Sequence, residues 1–190
     1  MSVPDEFPRE MAIVGRLLVT YSELELGLLN AITIGLSMNT ALKAMYRIRG
    51  ETARINIASG IGRQQYVLRG LEVEFDQAIA AVRYCLRVRN KFSHAYWHSP
   101  SKGVLCYVSL EDLAEEPAEV NDLLGLDFFY VDEALLQEHL NYFQHTKMLI
   151  AHVNYQSRVL SGEMTSNPIP APQQQTTPPL YTRKGVQGSP

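Results

Sequence analysis

Apolar residues recur every three or four positions along four stretches of the chain, and this spacing predicts four helical regions. The regions are residues 8–37, residues 40–68, residues 73–95 and residues 133–160. Three glycines interrupt the second region, so we expect at least one break in it. Asp132 stands directly before the last region, where it can serve as the helix N-cap.

Two short runs between the third and fourth helices have a strand-like composition. They read GVLCYVSLED and LDFFYV, and they are rich in β-branched and aromatic residues. The predicted fold is therefore mainly all-α, an up-and-down four-helix bundle with a small two-stranded β insert before the last helix. Residues 1–162 are expected to form this single domain.

Residues 163–190 differ in composition from the rest of the chain. They hold six of the ten prolines and a glutamine triplet. A segment of this kind cannot bury a core, so we expect a disordered Pro/Gln-rich tail. It would act as a flexible, solubilising end or, alternatively, bind a proline-recognition module.

Charge is segregated along the chain although its net value is only -3. Residues 43–102 carry eleven Lys/Arg and four acidic residues, whereas residues 103–146 carry ten acidic residues and no Lys or Arg. The basic part could attract a polyanion, or the two parts could neutralise each other in the fold or across a dimer. A third hypothesis is that the acidic segment from Glu111 to Glu138 lies over a groove formed by the basic part and restrains it. Substitutions that neutralise Glu115, Glu116 and Glu119 would test this hypothesis.

Two charged residues fall on the apolar sides of predicted helices. At about 100° per residue, Arg89 lies within the apolar arc of the third helix. Glu25 lies on the apolar row of the first helix. Because an unpaired buried charge is costly, we expect Glu25 and Arg89 to pair or to line one groove.

The polar face of the third helix ends in a group of side chains suited to phosphate binding and proton transfer. Arg83, Arg87, Asn90 and His94 share this face. Histidine transfers protons near neutral pH, and arginine binds phosphate. His94 lies about 140° from Arg89 on a straight helix, so these two converge only at a kink or across a symmetric dimer.

The hexad RNKFSH, Arg89 to His94, matches the R-N-x-x-x-H pattern at the end of the third helix in HEPN-domain proteins. The order of elements also resembles that superfamily over roughly residues 8–160. The resemblance implies a metal-independent ribonuclease that works as a homodimer through the third-helix region. It assigns catalysis to Arg89 and His94, with Asn90 orienting them, and RNA contacts to Arg83, Arg87 and Lys91. Glu25 would support the site as the structural partner of Arg89.

The implied reaction is attack by a ribose 2′-hydroxyl on the adjacent phosphate. His94 would act as general acid or base, and Arg89 would stabilise the charged phosphorane. No cofactor is implied. The sequence around Tyr96 also resembles HEPN toxins whose tyrosine is modified by a cognate antitoxin. Tyr96 is thus a candidate modification site, although it and Trp97 could instead simply pack under the inserted hairpin.

Two other interpretations remain open. The chain could be a non-catalytic HEPN-like module that binds nucleic acid or protein, or a helical interaction protein whose basic stripe is a solvated face. Cys85 and Cys106 lack metal-type spacing, and no metal site is predicted. The sequence shows no signal peptide and no apolar run long enough for a membrane span. We therefore expect a cytoplasmic protein with no membrane partner.

Overall fold

The computed structural model describes residues 2–115 and 127–186, and its fold is mainly helical with a small antiparallel sheet. The helices are α1 (Val3–Glu6), α2 (Pro8–Ile32), α3 (Met38–Tyr46), α4 (Glu51–Val67), α5 (Glu72–Ser93), α6 (Leu110–Glu115) and α7 (Glu133–Leu160). The strands are β1 (Ala95–Ser101), β2 (Val104–Ser109), β3 (Asp127–Val131) and β4 (Arg183–Val186). The predicted mainly α class is confirmed at this level.

The chain divides into two compact units. One comprises Met1–Leu18, Arg87–Asn141 and Thr177–Pro190, and we call it the sheet unit because it contains all four strands. The other comprises Val19–Leu86 and Tyr142–Thr176, and we call it the helical unit. This division does not follow the boundary predicted at residue 162.

The break expected in the second helical region is a reversal of the chain within the helical unit. Ser37 caps α3, since its Oγ accepts a hydrogen bond from Thr40 N–H at 3.3 Å. After α3 the chain turns at Gly50, whose φ of 93° suits glycine, and α4 begins. Splitting one predicted region into α3 and α4 adds a helix to the predicted set.

The extra reversal changes the direction of the helices in this unit. Glu25 pairs with Arg54 in the first turn of α4, and Ile32, two turns later on α2, lies against Gly62, which is two turns later on α4. These pairs show that α2 and α4 run parallel. Gly27 also lies against Ile150, and Arg158 donates to Thr33, so α7 runs parallel to α2. In an up-and-down four-helix bundle the first and last helices would be antiparallel.

Aromatic packing closes the core of the helical unit. Tyr66 and Phe75 stack with their ring centroids 4.1 Å apart and their planes 9° from parallel. The Tyr66 hydroxyl donates to the Ala31 carbonyl at 3.1 Å, which satisfies the one polar group of this buried ring. A Cβ at Gly62 would lie 3.0 Å from the Phe75 ring, so α4 and α5 approach closely there.

The sheet unit has four antiparallel strands in the order β1-β2-β3-β4. Directly opposite residues share a face, and one such row runs across all four strands. This row consists of Trp97, Tyr107, Phe129 and Lys184. Phe92, near the end of α5, packs on this face, with its ring centroid 5.5 Å from those of Trp97 and Tyr107.

The sheet is larger than the predicted two-stranded insert, and the tail accounts for one added strand. We expected residues 163–190 to be disordered, but β4 forms within them and pairs with β3. Thr182 donates to the Tyr130 carbonyl through its N–H (2.8 Å) and its hydroxyl (2.9 Å). The Tyr107 hydroxyl donates to the Leu180 carbonyl at 3.3 Å. Residues 177–186 are therefore an integral part of the sheet unit.

Candidate functional site

The last turn of α5 carries most of the predicted site, and its apolar side anchors it in the sheet unit. Val88 and Phe92 are buried, four residues apart on the inner side of the helix. This leaves Arg87 exposed and places Arg89 and Asn90 at the margin, where both are half-buried. The helix thus presents the predicted motif at the edge of a buried surface.

Arg89 and Asn90 are in direct contact. Arg89 Nη1 donates to Asn90 Oδ1 at 3.0 Å. The amide oxygen therefore restricts the rotamers that the guanidinium can adopt. This contact joins two of the three residues predicted to be catalytic.

His94 follows α5 directly and is paired with a carboxylate. Its N–H donates to the Asn90 carbonyl at 3.1 Å, and its own carbonyl accepts from Leu110 N–H at 3.3 Å. The second bond ties the end of α5 to the start of α6, which carries Glu111. His94 Nε2 lies 3.7 Å from Glu111 Oε1, and both side chains are about half exposed (53% and 50%).

The acidic start of α6 also reaches the predicted RNA-binding residue Lys91. Lys91 Nζ lies 2.5 Å from Asp112 Oδ2 and 5.9 Å from the centroid of the Phe129 ring. Two acidic side chains of α6 therefore meet two basic side chains of the α5 end. Sequence reasoning assigned a restraining role to this acidic segment but did not pair Glu111 with His94. Glu116 and Glu119 lie outside the described residues, as does the Glu115 side chain.

Arg83 and Glu25, also predicted for the site, lie in the helical unit. Arg83 Nη2 donates to Asn56 Oδ1 at 2.8 Å in an exposed position. Glu25 Oε1 accepts from Arg54 Nη1 at 2.9 Å, and the two side chains are largely buried. Glu25 thus has an arginine partner on α4. The expected contact between Glu25 and Arg89 would join the two units and stays a prediction.

Tyr96 and Trp97 point to opposite faces of β1. Trp97 packs inward against Phe92 and Tyr107. Tyr96 is 43% exposed, and its ring stacks on His98 at a centroid distance of 6.1 Å. Packing under the hairpin therefore describes Trp97, whereas the Tyr96 ring is accessible at the surface.

His139 is a buried histidine that the sequence analysis did not predict. It is fully buried, and its ring meets Phe92 edge-on at 5.7 Å. Burial lowers its pKa to about 4, although a hydrogen bond to the Pro179 backbone acts in the opposite direction. Its position three residues after the buried Leu136 was a signal for the core.

Comparisons with protein-family models, with curated proteins and with solved structures found no match to this chain. Within residues 2–115 and 127–186, no group of three or more His, Cys, Asp and Glu side chains is arranged to hold a metal ion. No helix in the described part of the chain has the length and apolarity needed to cross a membrane. The candidate site therefore rests on the geometry around the end of α5.

Proposed function

We propose that the chain is a metal-independent endoribonuclease of HEPN type, which acts as a cytoplasmic homodimer. RNA would be cleaved by attack of a ribose 2′-hydroxyl on the adjacent phosphate. The observation that carries the proposal is the exposed His94–Glu111 pair beside the Arg89–Asn90 hydrogen bond. A histidine oriented by a carboxylate is a recurrent device for proton transfer.

Each residue has a role that its chemistry supports. Glu111 Oε1 lies 3.7 Å from Nε2 of His94, so a small movement of the side chains would form a hydrogen bond there and leave Nδ1 to exchange a proton with the 2′-hydroxyl or the leaving oxygen. The Arg89 guanidinium, oriented by Asn90, stabilises charge on the phosphorane. Arg87 and Lys91 contact the RNA backbone near the cut, and Arg83 contacts it farther along α5. Three further parts of the proposal rest on the resemblance alone. They are the role as a toxin or defence effector, an antitoxin or regulator as partner, and the modification of Tyr96.

The proposal includes a composite site in which Arg89 of one copy acts with His94 of the other. The two residues are five positions apart, which places them about 140° apart around a helix. A two-fold axis near the end of α5 would bring Arg89 of each copy toward His94 of its partner. This arrangement makes dimerisation a requirement for cleavage.

The first test is RNA cleavage in EDTA by the full chain and two histidine variants. We expect His94→Ala to abolish cleavage and the nearby His98→Ala to retain it. The products of the parent protein should end in 2′,3′-cyclic phosphates, since the 2′-hydroxyl is the nucleophile. Folding of each variant is checked by circular dichroism. Equal cleavage by the parent and His94→Ala would rule out the proposed role of His94.

A mixing experiment tests the composite site separately. Arg89→Ala and His94→Ala should each be inactive alone. Random exchange of subunits creates mixed dimers with one intact site, so the mixture should recover about a quarter of the parental activity. Two inactive variants that stay inactive after proven exchange would show that the site is not shared between copies.

A non-catalytic HEPN-like module that binds nucleic acid or protein is the second candidate. The contacts of Asp112 with Lys91 and of Glu111 with His94 favour it, because acidic side chains already occupy this basic surface. In this case Glu111→Gln with Asp112→Asn should strengthen salt-dependent RNA binding without producing cleavage. Binding that is unchanged by this double substitution would rule out a restraining role for the start of α6.

A further inference from the structure

A groove of about 360 Å³ lies in the helical unit between the parallel helices α2 and α7. The helices approach each other closely because Gly27 lacks a side chain, and a Cβ there would lie 3.2 Å from Ile150 Cγ2. Leu26 and Ala151 add apolar surface to the lining. A volume of several hundred Å³ with a mainly apolar lining is typical of small-molecule sites.

One polar group of the lining lacks a hydrogen-bond partner within the described part of the chain. Asn154 is 8% exposed, and its Oδ1 is buried without a donor among those residues. Leaving a buried amide oxygen unsatisfied is unfavourable, so a native protein usually supplies a partner. In the structure this oxygen is buried, so a ligand in the groove could reach it only after rotation about the Cβ–Cγ bond of Asn154, which needs no movement of the backbone.

The charges around the groove favour a neutral ligand. Glu23 and Lys147 line one end and form an ion pair at 2.7 Å that links α2 to α7. Because Glu23 and Lys147 neutralise each other, neither side chain favours a charged ligand. The remaining requirement of the site is apolar surface with one hydrogen-bond donor.

We infer that the α2–α7 groove binds a neutral, mostly apolar small molecule that donates an N–H or O–H hydrogen bond to Asn154. The apolar lining supplies most of the affinity, and Asn154 supplies the preference for a donor. This site lies wholly within the helical unit. It is independent of the proposed ribonuclease, so either proposal can fail alone.

The test compares two probes of nearly the same shape by NMR titration of the full-length protein. Indole carries an N–H donor, and indene is its hydrocarbon counterpart. We expect indole to bind the parent protein roughly fivefold to tenfold more tightly than indene. This ratio corresponds to the net contribution of one neutral hydrogen bond. Asn154→Leu should abolish this preference, whereas Asn154→Asp, which keeps an acceptor, should retain it.

Two further variants make the result decisive. Ala151→Leu fills the groove and should weaken both probes, and it remains informative if Asn154→Leu does not fold. Asn141→Leu removes an exposed asparagine of the same helix and should change neither affinity. Equal affinity of the parent for indole and indene, or binding of neither probe, would overturn the proposal. A dimer of the parent protein that Ala151→Leu dissociates would overturn it in favour of a second copy as the occupant.

Discussion

His139 is buried in the sheet unit, and its burial links the stability of the protein to pH. The pKa is about 4 in the folded protein and 6.5 for an unperturbed histidine, so the unfolded chain binds more protons between these values. The free energy of unfolding therefore rises with pH across this window. The contribution of His139 is fully present above pH 6.5 and is lost as the pH falls toward 4. The difference corresponds to about 3 kcal/mol of unfolding free energy.

We predict that His139→Leu flattens the pH dependence of stability. Urea denaturation at pH 7.0, 5.5 and 4.5 measures this directly for the parent and the variant. Burial also lowers the pKa of His145, so the variant should keep a small slope of the same sign. A slope that is the same in both proteins would show that His139 is not the group responsible.

The two cysteines give a second prediction at this scale. Both are buried, and burial raises the pKa of Cys85 to about 12 and that of Cys106 to about 11. Since the thiolate is the reactive form, neither should react with a disulfide reagent at pH 8 in the folded protein. Both should react after denaturation in guanidinium. Rapid labelling of the native protein would indicate that at least one of the thiols is accessible.

The position of a single residue was predicted best where one physical rule determines it. Asp132 was expected to cap the last helix, and its Oδ1 accepts from Leu135 N–H at 2.8 Å. Arg89 was expected within the apolar arc of α5, and it lies half-buried at the margin of that side. The carboxylate beside His94 was not predicted, because Glu111 reaches it through the strands that connect α5 to α6. A partner distant in sequence leaves no local pattern.

At the scale of elements, the Glu25–Arg54 pair fixes α2 against α4. The two side chains are 12% and 22% exposed, so removal of one leaves the other partly desolvated. We predict that Arg54→Met lowers the free energy of unfolding by about 2 kcal/mol. The double variant with Glu25→Gln should lose less than the sum of the two single variants, as measured by denaturation of all four proteins.

Arg63 provides a matched control on the same helix. It pairs with Glu72 and Asp76, but all three side chains are about half exposed. Arg63→Met should therefore cost less than Arg54→Met. Strict additivity of the Glu25 and Arg54 substitutions would mean that the pair adds no coupling energy.

Long helices were predictable, whereas short elements in mixed sequence were not. The range 133–160 was predicted for the last helix and is found as α7, because 28 residues carry a sustained apolar period. The third helix was expected to reach Ala95 but ends at Ser93, where β1 takes over. β1 includes Tyr96, Trp97 and His98, and its pairing with β2 overrides its weak local pattern.

At the scale of the whole molecule, the tail shows why composition alone was insufficient. A proline-rich segment cannot build a core of its own, but it can complete a sheet that another part of the chain provides. β4 lies at the edge of the sheet, and Lys184 forms an ion pair with Asp127 of β3 at 2.7 Å. Arg183 also stacks over the Tyr130 ring at 4.1 Å. These contacts depend on residues about fifty positions away.

Truncation after Thr176 tests this role of the tail. It removes β4, the Thr182 hydrogen bonds and the acceptor of the Tyr107 hydroxyl, so we expect the melting temperature to fall by roughly 5–10 °C. The exposed edge of β3 should also promote association, which sedimentation detects. Removal of residues 187–190 alone is the control and should leave both measurements unchanged. If the truncated chain melts at the same temperature as the parent, β4 does not stabilise the sheet. That result would support the disordered tail that the composition predicts.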